Sequence, residues 1–427
     1  MGAFQQQPPK KHPRLDNITH TLVGVLVGET AARATRSNAS GLGFDTRRNV
    51  FVTLMAIGSN VPDLDFIQSR ITGNKLEYLL HHRGHTHTII GALIVAALLY
   101  LACEAWCRWR RHSLSRTDRV QIAGIASLST LLHIAMDATN SYGVHPFWPF
   151  DNRWYYGDAV FIVEPLFWAA CAPLVFTVRS MTAKVLISLT LIAGIVLSFT
   201  TGMVPVLMST VLVILTLAML TVGRLASKQA ALVTGLLVWF AINASFAQAS
   251  AIARRKVQTI AAQRFPQARL LDTVLTPMPA NPICWQVLLV QMKGDEWYVR
   301  RASLSIRPEL LAADACPSRG NAANTTAPFS AIPAPNTATI TWHGEIGMSR
   351  ARLIEWVERD CQVAELMRFA RAPWLTQRDG VWILGDARFD NEPGLSFAEI
   401  ELGSDAPCMA RVPPWVPPRR DLLSVGR

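Results

Sequence analysis

Histidines dominate the residues of this sequence that could do chemistry. Ten are present, and seven fall near the same ends of apolar segments: His20, His81, His82, His85, His87, His133 and His145. The densest group is His81-His82-Arg83-Gly84-His85-Thr86-His87, with four imidazoles in seven residues just before an apolar run. Imidazole nitrogens suit Zn²⁺, Mn²⁺ or Fe²⁺. A solvated histidine-rich loop beside a membrane helix is the alternative interpretation.

Carboxylates accompany these histidines at two places. In Val61-Pro62-Asp63-Leu64-Asp65, the proline ends a helix and leaves two carboxylates in the following turn, where an Asx-type turn is the structural alternative. His133 and Asp137 are four residues apart, so a helix carries both on one face. An ionisable pair inside an apolar helix is costly unless paired or functional. A purely structural hydrogen bond between the two is the other interpretation.

Three further residues extend this candidate site. His20 begins an apolar helix, where a cap or an interfacial side chain is the common interpretation. Glu164 is predicted to lie on the same membrane face as the histidines and to add a carboxylate there, although it could instead pair with an arginine. Arg83 lies among the histidines, and its guanidinium could bind an anionic substrate through two hydrogen bonds.

Composition indicates that the bilayer positions these residues. Of the 427 residues, 50% are hydrophobic and only 17% are charged, which is too little charge for a soluble surface of this size. The net charge of +11 does not indicate nucleic acid, because many Arg and Lys residues sit at the ends of apolar runs, where they orient membrane helices. The sequence therefore predicts a multi-pass membrane protein that binds no nucleic acid.

Six segments are long and apolar enough to span a bilayer, which takes roughly 20 residues. They are Thr88–Ala105, Val120–Ala138, Ala159–Val178, Val185–Thr201, Val204–Val222 and Gln229–Ala253. Ile18–Ala34 and Asn49–Asn60 are shorter and are predicted to be half-spans or tilted helices. Basic loops between the segments predict that the histidines and the C-terminal region share the periplasmic face of a bacterial inner membrane. Arg254, Arg255 and Lys256 count against that orientation.

The predicted fold is mainly α: a polytopic transmembrane helical bundle followed by a smaller soluble α+β domain. We expect a polar segment over residues 1–17, a metal-site domain over 18–178, further transmembrane helices over 179–256 and the soluble domain over 257–427. Within the last, Cys284–Gln291 and Trp297–Ile306 predict a β-hairpin, and residues near 308–338 predict a linker. Its four cysteines permit one or two disulfides, whose pairing the sequence does not determine.

Together these motifs resemble the YdjM-type family of inner-membrane, metal-dependent hydrolases. The resemblance covers about residues 14–170 and is carried by Thr19-His20, Pro62-Asp63-Leu64-Asp65, His82-Arg83-Gly84-His85-Thr86-His87, His133-Ile134-Ala135-Met136-Asp137 and Glu164-Pro165. The family more often has Asp at position 164, and His85 occupies a variable position. The helical core of the family is similar, more distantly, to zinc-dependent phospholipase C and the P1-type nucleases.

The resemblance implies a divalent metal, Zn²⁺ or Mn²⁺, that polarises a phosphoryl or carbonyl oxygen and lowers the pKa of water from near 16 to roughly 7. The implied metal ligands are His20, Asp63, Asp65, His82, His87, His133, Asp137 and Glu164. Asp65 would alternatively act as general base and Arg83 would stabilise a developing anion. A phosphoester, a membrane lipid or a lipid-linked phosphate is the expected substrate.

Two other functions fit the same residues. A transporter would place His133 and Asp137 along a continuous polar route, but the later apolar segments contain mainly isolated Ser and Thr. A non-catalytic membrane scaffold with a structural metal site would show the same ligand set. The sequence does not indicate an oligomeric state.

Overall fold

The structure is a computed structural model that describes residues 15–35, 40–67, 74–317, 328–389, 395–404 and 406–424. Most of the polar segment predicted over residues 1–17, and part of the linker predicted near 308–338, lie outside the described residues. The proposed domain boundaries stay predictions.

The N-terminal part is a bundle of helices. Its elements are α1 (Leu15–Ala34), α2 (Phe44–Gly58), the 3₁₀ helix η1 (Val61–Asp65), α3 (Lys75–His81), the 3₁₀ helix η2 (His85–His87), α4 (Ile89–Trp109), α5 (Arg116–Asp137), α6 (Pro165–Ala170), α7 (Leu174–Thr177), α8 (Met181–Thr200), α9 (Val206–Leu225) and α10 (Lys228–Arg264). In the described chain, five of these are long and apolar enough to cross a membrane: α4, α5, α8, α9 and α10. Each coincides with a segment predicted from sequence, so those five predictions are confirmed.

The sixth predicted span, Ala159–Val178, is wrong as a continuous helix. It contains two short helices, α6 and α7, which are separated at Cys171–Pro173. Pro173 has no amide hydrogen to donate, and its ring disfavours helical backbone in the residue before it. All six residues of α6 are buried, and α6 packs against α1, α8, α9 and α10. This segment is therefore an interior support of the bundle.

The C-terminal part contains two antiparallel sheets. The first has the order β1-β2-β3-β4, formed by β1 (Arg269–Met278), β2 (Asn281–Lys293), β3 (Glu296–Ser305) and β4 (Ile340–Ser349). The second has the order β5-β6-β7, formed by β5 (Pro373–Arg378), β6 (Val381–Asp386) and β7 (Glu399–Glu401). The pairing of β2 with β3 confirms the predicted hairpin. In the sequence, η3 (Ala313–Ala315) lies between β3 and β4 of the first sheet, and α11 (Arg350–Arg359) and α12 (Cys361–Leu366) lie between β4 and β5. The short helix α13 (Arg420–Leu423) lies near the end of the described chain.

Disulfides join all four cysteines of this C-terminal part. Cys284 pairs with Cys316, and Cys361 pairs with Cys408. The sequence permitted other pairings, and the spatial arrangement of the strands and helices selects these two.

The two parts of the chain share a hydrophobic core. Leu79 and Leu80 of α3, with Tyr142 and Trp154 from the segment after α5, pack in one buried cluster with Trp374 and many other residues of the C-terminal domain. The 37-residue helix α10 also connects the parts. At about 1.5 Å per residue it exceeds the hydrocarbon thickness of a bilayer, so its C-terminal turns reach the first sheet. The C-terminal domain is thus packed directly onto the predicted site.

Candidate metal centre

Four predicted ligands converge in the interior of the bundle. Asp63 comes from η1, His87 from η2, and His133 with Asp137 from the last turns of α5. One ligand atom from each lies within 4.8 Å of every other, and all four residues are buried. Spacing of four residues places His133 and Asp137 on one face of α5. Thr88 ends the histidine segment and begins α4 by accepting a hydrogen bond from the amide of Gly91.

The two imidazoles of this group face each other through their Nε2 atoms. His133 donates Nδ1–H to the carbonyl of Ser59 at 2.7 Å, since a carbonyl oxygen only accepts. His87 turns Nδ1 toward the Asp65 carboxylate at 3.3 Å. With Nδ1 protonated, a neutral imidazole carries its lone pair on Nε2, and the two Nε2 atoms lie 3.0 Å apart. Two lone pairs at this distance repel unless a proton or a cation lies between them. Metal-bound histidines are commonly held in this way, with the ring nitrogen that does not bind the metal hydrogen-bonded to a carbonyl or a carboxylate.

The two carboxylates complete the coordination group. Asp63 Oδ1 lies 3.3 Å from Nε2 of His87 and 3.4 Å from Nε2 of His133, and Asp137 Oδ2 lies at 3.2 and 3.4 Å from the same atoms. Within the described chain, Asp137 Oδ2 is buried without a hydrogen-bond partner. Two imidazoles and two carboxylates fit a divalent cation such as Zn²⁺ or Mn²⁺.

His20 lies at the edge of this group. Its Nε2 is 3.3 Å from Asp137 Oδ1, and its ring centroid is 4.3 Å from that of His133. Trp168 of α6 donates its Nε1–H to Thr19, which fixes α1 beside the interior helix. His20 therefore touches two members of the group, and its side chain is placed to act as a further ligand or to orient Asp137.

Asp65 and His82 form the outer layer of the site. Asp65 accepts hydrogen bonds from His82 Nδ1 at 2.9 Å, from the Arg83 amide at 3.0 Å and from the Thr86 hydroxyl at 2.9 Å. Burial raises the pKa of Asp65, but hydrogen bonds from His82 and His87 outweigh burial and hold the pKa below its ordinary value. This carboxylate orients the surrounding histidines. Its role as a bridging ligand or general base stays a prediction.

Arg83 is turned inward. Its backbone has a φ of 60°, which is uncommon for a residue with a side chain, and the side chain is almost completely buried. The guanidinium contacts Asp137 Oδ1 at 2.8 Å and donates to Asn140 Oδ1 at 2.9 Å. It lies 4.9 Å from the ring of Tyr142. Arg83 thus holds Asp137 in position, and its contact with a substrate anion stays a prediction.

The structure places Glu164 outside the group of four. Its carboxylate accepts hydrogen bonds from the amide of Leu166, at the start of α6, and from the amide of Ala280, between β1 and β2. Burial raises its pKa to about 8. We therefore assign Glu164 to the contact between the bundle and the sheet rather than to the metal. The nearby carboxylate of Asp158 pairs with Arg371 and Arg254.

Several residues that support the site have no sequence signal of their own. Asn140 holds Arg83, and the carbonyl of Ser59 orients His133. Trp415 stacks on His145 at 3.7 Å, and His145 in turn contacts the carbonyl of Arg83 through Nδ1 at 3.3 Å. A backbone carbonyl, such as that of Ser59, and an aromatic residue far away in the sequence, such as Trp415, can be assigned to a site only when the tertiary structure is known.

Five spans with a buried His/Asp cluster at the end of one of them define a multi-pass membrane protein with a candidate metal centre. Residues 15–251 match the YdjM inner membrane protein family, and because this range is more than half of the chain, the protein belongs to that family. The matched range contains all the predicted ligands. No curated protein and no solved structure matches the chain. The likeness to zinc-dependent phospholipase C and P1-type nucleases therefore stays a hypothesis.

Proposed function

We propose that this protein is a membrane-bound, metal-dependent hydrolase that acts on a phosphoester. The observation that carries the proposal is the convergence of Asp63, His87, His133 and Asp137 on one buried point. A divalent metal bound there would polarise the phosphoryl oxygen and make a water molecule acidic enough to attack at neutral pH. The opposed Nε2 atoms of the two histidines support this assignment.

The residues around the four ligands have separate tasks. Asp65 and Ser59 orient the two histidine ligands, and Arg83 orients Asp137. Asp65 also accepts the Nδ1–H of His82, which leaves Nε2 of His82 as the basic nitrogen. We assign to His82 the task of accepting a proton from the attacking water, because its ring lies 5.9 Å from that of His87 and it is not itself one of the four ligands.

Elemental analysis and a phosphoester screen on the same purified protein test this proposal. We expect at least about one Zn²⁺ or Mn²⁺ per chain and hydrolysis of a phosphoester in a screen that contains both water-soluble chromogenic phosphoesters and phospholipids. Asp63→Asn should lose both metal and activity. His82→Gln should keep the metal and lose activity by about 100-fold or more.

Two results would contradict the proposal. A metal-free protein that is folded, and that gains no stability from added Zn²⁺ or Mn²⁺, would remove the metal centre. A fully loaded protein that hydrolyses none of the phosphoesters would favour the scaffold with a structural metal site.

We also propose that the site and the C-terminal domain lie on the periplasmic side. The two disulfides support this placement, because such bonds persist in oxidising compartments and are rare in the cytosol. The basic residues of the loop between α4 and α5, among them Arg110 and Arg111, favour the cytoplasm for the opposite ends of these helices.

A further inference from the structure

The metal centre reaches the protein surface through a restricted set of side chains. His87 and His133 have no exposed side-chain surface, whereas Asp63 and His82 are 10% and 11% exposed. Asp65, beside them, is 8% exposed. The least buried part of the site is therefore formed by η1 and His82.

The C-terminal domain covers one side of the site. Trp415 is fully buried, stacks on His145 and donates its Nε1–H to the carbonyl of Leu80 at 2.7 Å. Tyr78 stacks on His82 at 4.8 Å and meets Phe397 of the C-terminal domain edge-on at 5.7 Å. Tyr78 therefore lies between the ring of His82 and the C-terminal domain.

The other side of the opening is apolar and exposed. Leu64 lies between the two buried carboxylates of η1 and is 50% exposed, and Ile67, just after η1, is 47% exposed. η1 packs against α4, whose first turns directly follow His87 and carry the exposed side chains of Ile89, Ile90, Leu93 and Ile94. Since α4 is a membrane span, the bilayer covers its exposed face. The apolar surface beside the site is continuous with that face.

We infer that the metal site opens laterally to the bilayer and that its ligand is an amphiphile with a phosphate-bearing headgroup. The phosphate enters beside Asp63 and His82, while the hydrocarbon chains stay in the membrane along Leu64, Ile67 and the first turns of α4. This inference rests on the proposed function and narrows its substrate to a membrane-resident lipid. A water-soluble phosphoester would have to approach from the side that the C-terminal domain covers.

Spin-label accessibility tests the position of the opening. Nitroxides are attached to Leu64→Cys, Leu98→Cys and Leu310→Cys, each in a Cys103→Ser background, in vesicles of phosphatidylethanolamine and phosphatidylglycerol. Leu98 on α4 and Leu310 in the C-terminal domain are 62% and 61% exposed, so they are matched references for lipid and water. We expect the nitroxide at position 64, like the one at position 98, to collide more often with dissolved oxygen than with a water-soluble nickel chelate. Behaviour like position 310 would overturn the inference.

Phosphonate binding tests the ligand class. The Co²⁺-loaded protein in nanodiscs of the same lipids is titrated with methylphosphonate and with hexadecylphosphonate, and the Co²⁺ absorption spectrum reports binding. We expect hexadecylphosphonate to half-saturate the site at a concentration at least about tenfold lower than methylphosphonate does. Leu64→Gln should weaken binding of the long-chain compound about threefold or more and change methylphosphonate binding less than twofold, which separates contact with the chain from simple partition into lipid.

The possible failures are distinguishable. If no Co²⁺ binds, the proposed function itself fails. If Co²⁺ binds and the two phosphonates bind equally, or Leu64→Gln affects both equally, the site is fed from water and the lateral opening is wrong. If Co²⁺ binds and neither phosphonate changes the spectrum, the phosphate-bearing ligand is wrong.

Discussion

His87 and His133 face each other through Nε2 atoms 3.0 Å apart, although they are 46 positions apart in the sequence. The hairpin of α4 and α5 brings them together, because one residue precedes the first helix and the other lies near the end of the second. Their opposite nitrogens are oriented by groups from two other elements, Ser59 after α2 and Asp65 in η1. The candidate metal centre therefore depends on the mutual positions of α2, η1, α4 and α5.

Cysteine labelling should confirm the proposed topology. Arg110→Cys, at the exposed end of α4, and Leu310→Cys, in the C-terminal domain, are predicted to lie on opposite sides of the membrane. In intact bacteria with a permeabilised outer membrane, a membrane-impermeant maleimide should label position 310 and not position 110. Disrupting the inner membrane should expose both. Equal labelling of the two positions in intact cells would contradict the predicted arrangement.

Removing the buried Arg388 should destabilise the fold strongly. Its guanidinium pairs with buried Asp386 and donates to the carbonyls of Ser141 and Tyr142, next to Asn140. Arg388→Met leaves a buried carboxylate without its cation, which costs about 3–5 kcal/mol. Denaturant unfolding followed by tryptophan fluorescence measures the loss.

The matched control is a surface ion pair in the same domain. Arg359 and Glu355 are exposed partners one helical turn apart. Arg359→Met should change the free energy of unfolding by less than about 1 kcal/mol. Similar losses in the two variants would show that Arg388 does not anchor the segment that follows α5.

The sequence predicted the parts of the structure that are set by local patterns. Long apolar runs predict the five spans, and two runs separated by a turn that contains Gly294 predict the hairpin of β2 and β3. Ligand-type residues at short spacings identified Asp63, His87, His133 and Asp137. Local patterns are sufficient here because each residue lies at the end of an element that the same pattern defines.

The remaining errors have physical causes. Hydropathy does not register that Pro173 interrupts a helix, so the buried pair α6 and α7 was predicted to be a span. Residue type alone does not distinguish a metal ligand from a helix cap, so the sequence does not reveal that Glu164 accepts hydrogen bonds from the amides of Leu166 and Ala280. The packing of Trp415 over His145 depends on long-range contacts between distant parts of the chain. Such contacts leave no periodic pattern in the amino-acid sequence.

Stability should fall with rising pH because of Glu164. Its pKa in the folded protein is about 8, above the ordinary value of 4.5, because it is buried between α6 and the turn at Ala280. Between these two values the folded state holds a proton that the unfolded state has released, so raising the pH favours unfolding. Each unit of difference corresponds to about 1.4 kcal/mol. Thermal unfolding should show a lower Tm at pH 8 than at pH 5.5.

The variant Glu164→Gln isolates this effect. The neutral amide keeps an acceptor oxygen for the amides of Leu166 and Ala280 but has no proton to release. We expect a smaller decline of Tm between pH 5.5 and pH 8 in this variant than in the native protein, while Glu355→Gln at the surface should leave the decline unchanged. An identical decline in the native protein and Glu164→Gln would show that Glu164 is not protonated in the folded state.

The final prediction distinguishes ligands from structural residues on α5. If His133 and Asp137 hold the metal, His133→Ala and Asp137→Ala should each lower metal content, because each change removes a lone-pair donor that no neighbour on that face replaces. Thr130→Ala is the control on the same helix. Thr130 is buried and donates to the carbonyl of Ala92, so its loss should cost about 1–3 kcal/mol of stability and leave the metal in place.

Metal content and Tm, measured on the same preparations with and without added Zn²⁺, separate the two roles. Added Zn²⁺ should raise the Tm of the native protein and of Thr130→Ala, because an ion that binds only the folded state stabilises it. The same addition should raise the Tm of His133→Ala and Asp137→Ala much less. Full metal occupancy in both of these variants, with a lowered Tm, would assign the pair to the scaffold of α5 and leave Asp63 and His87 as the remaining members of the candidate centre.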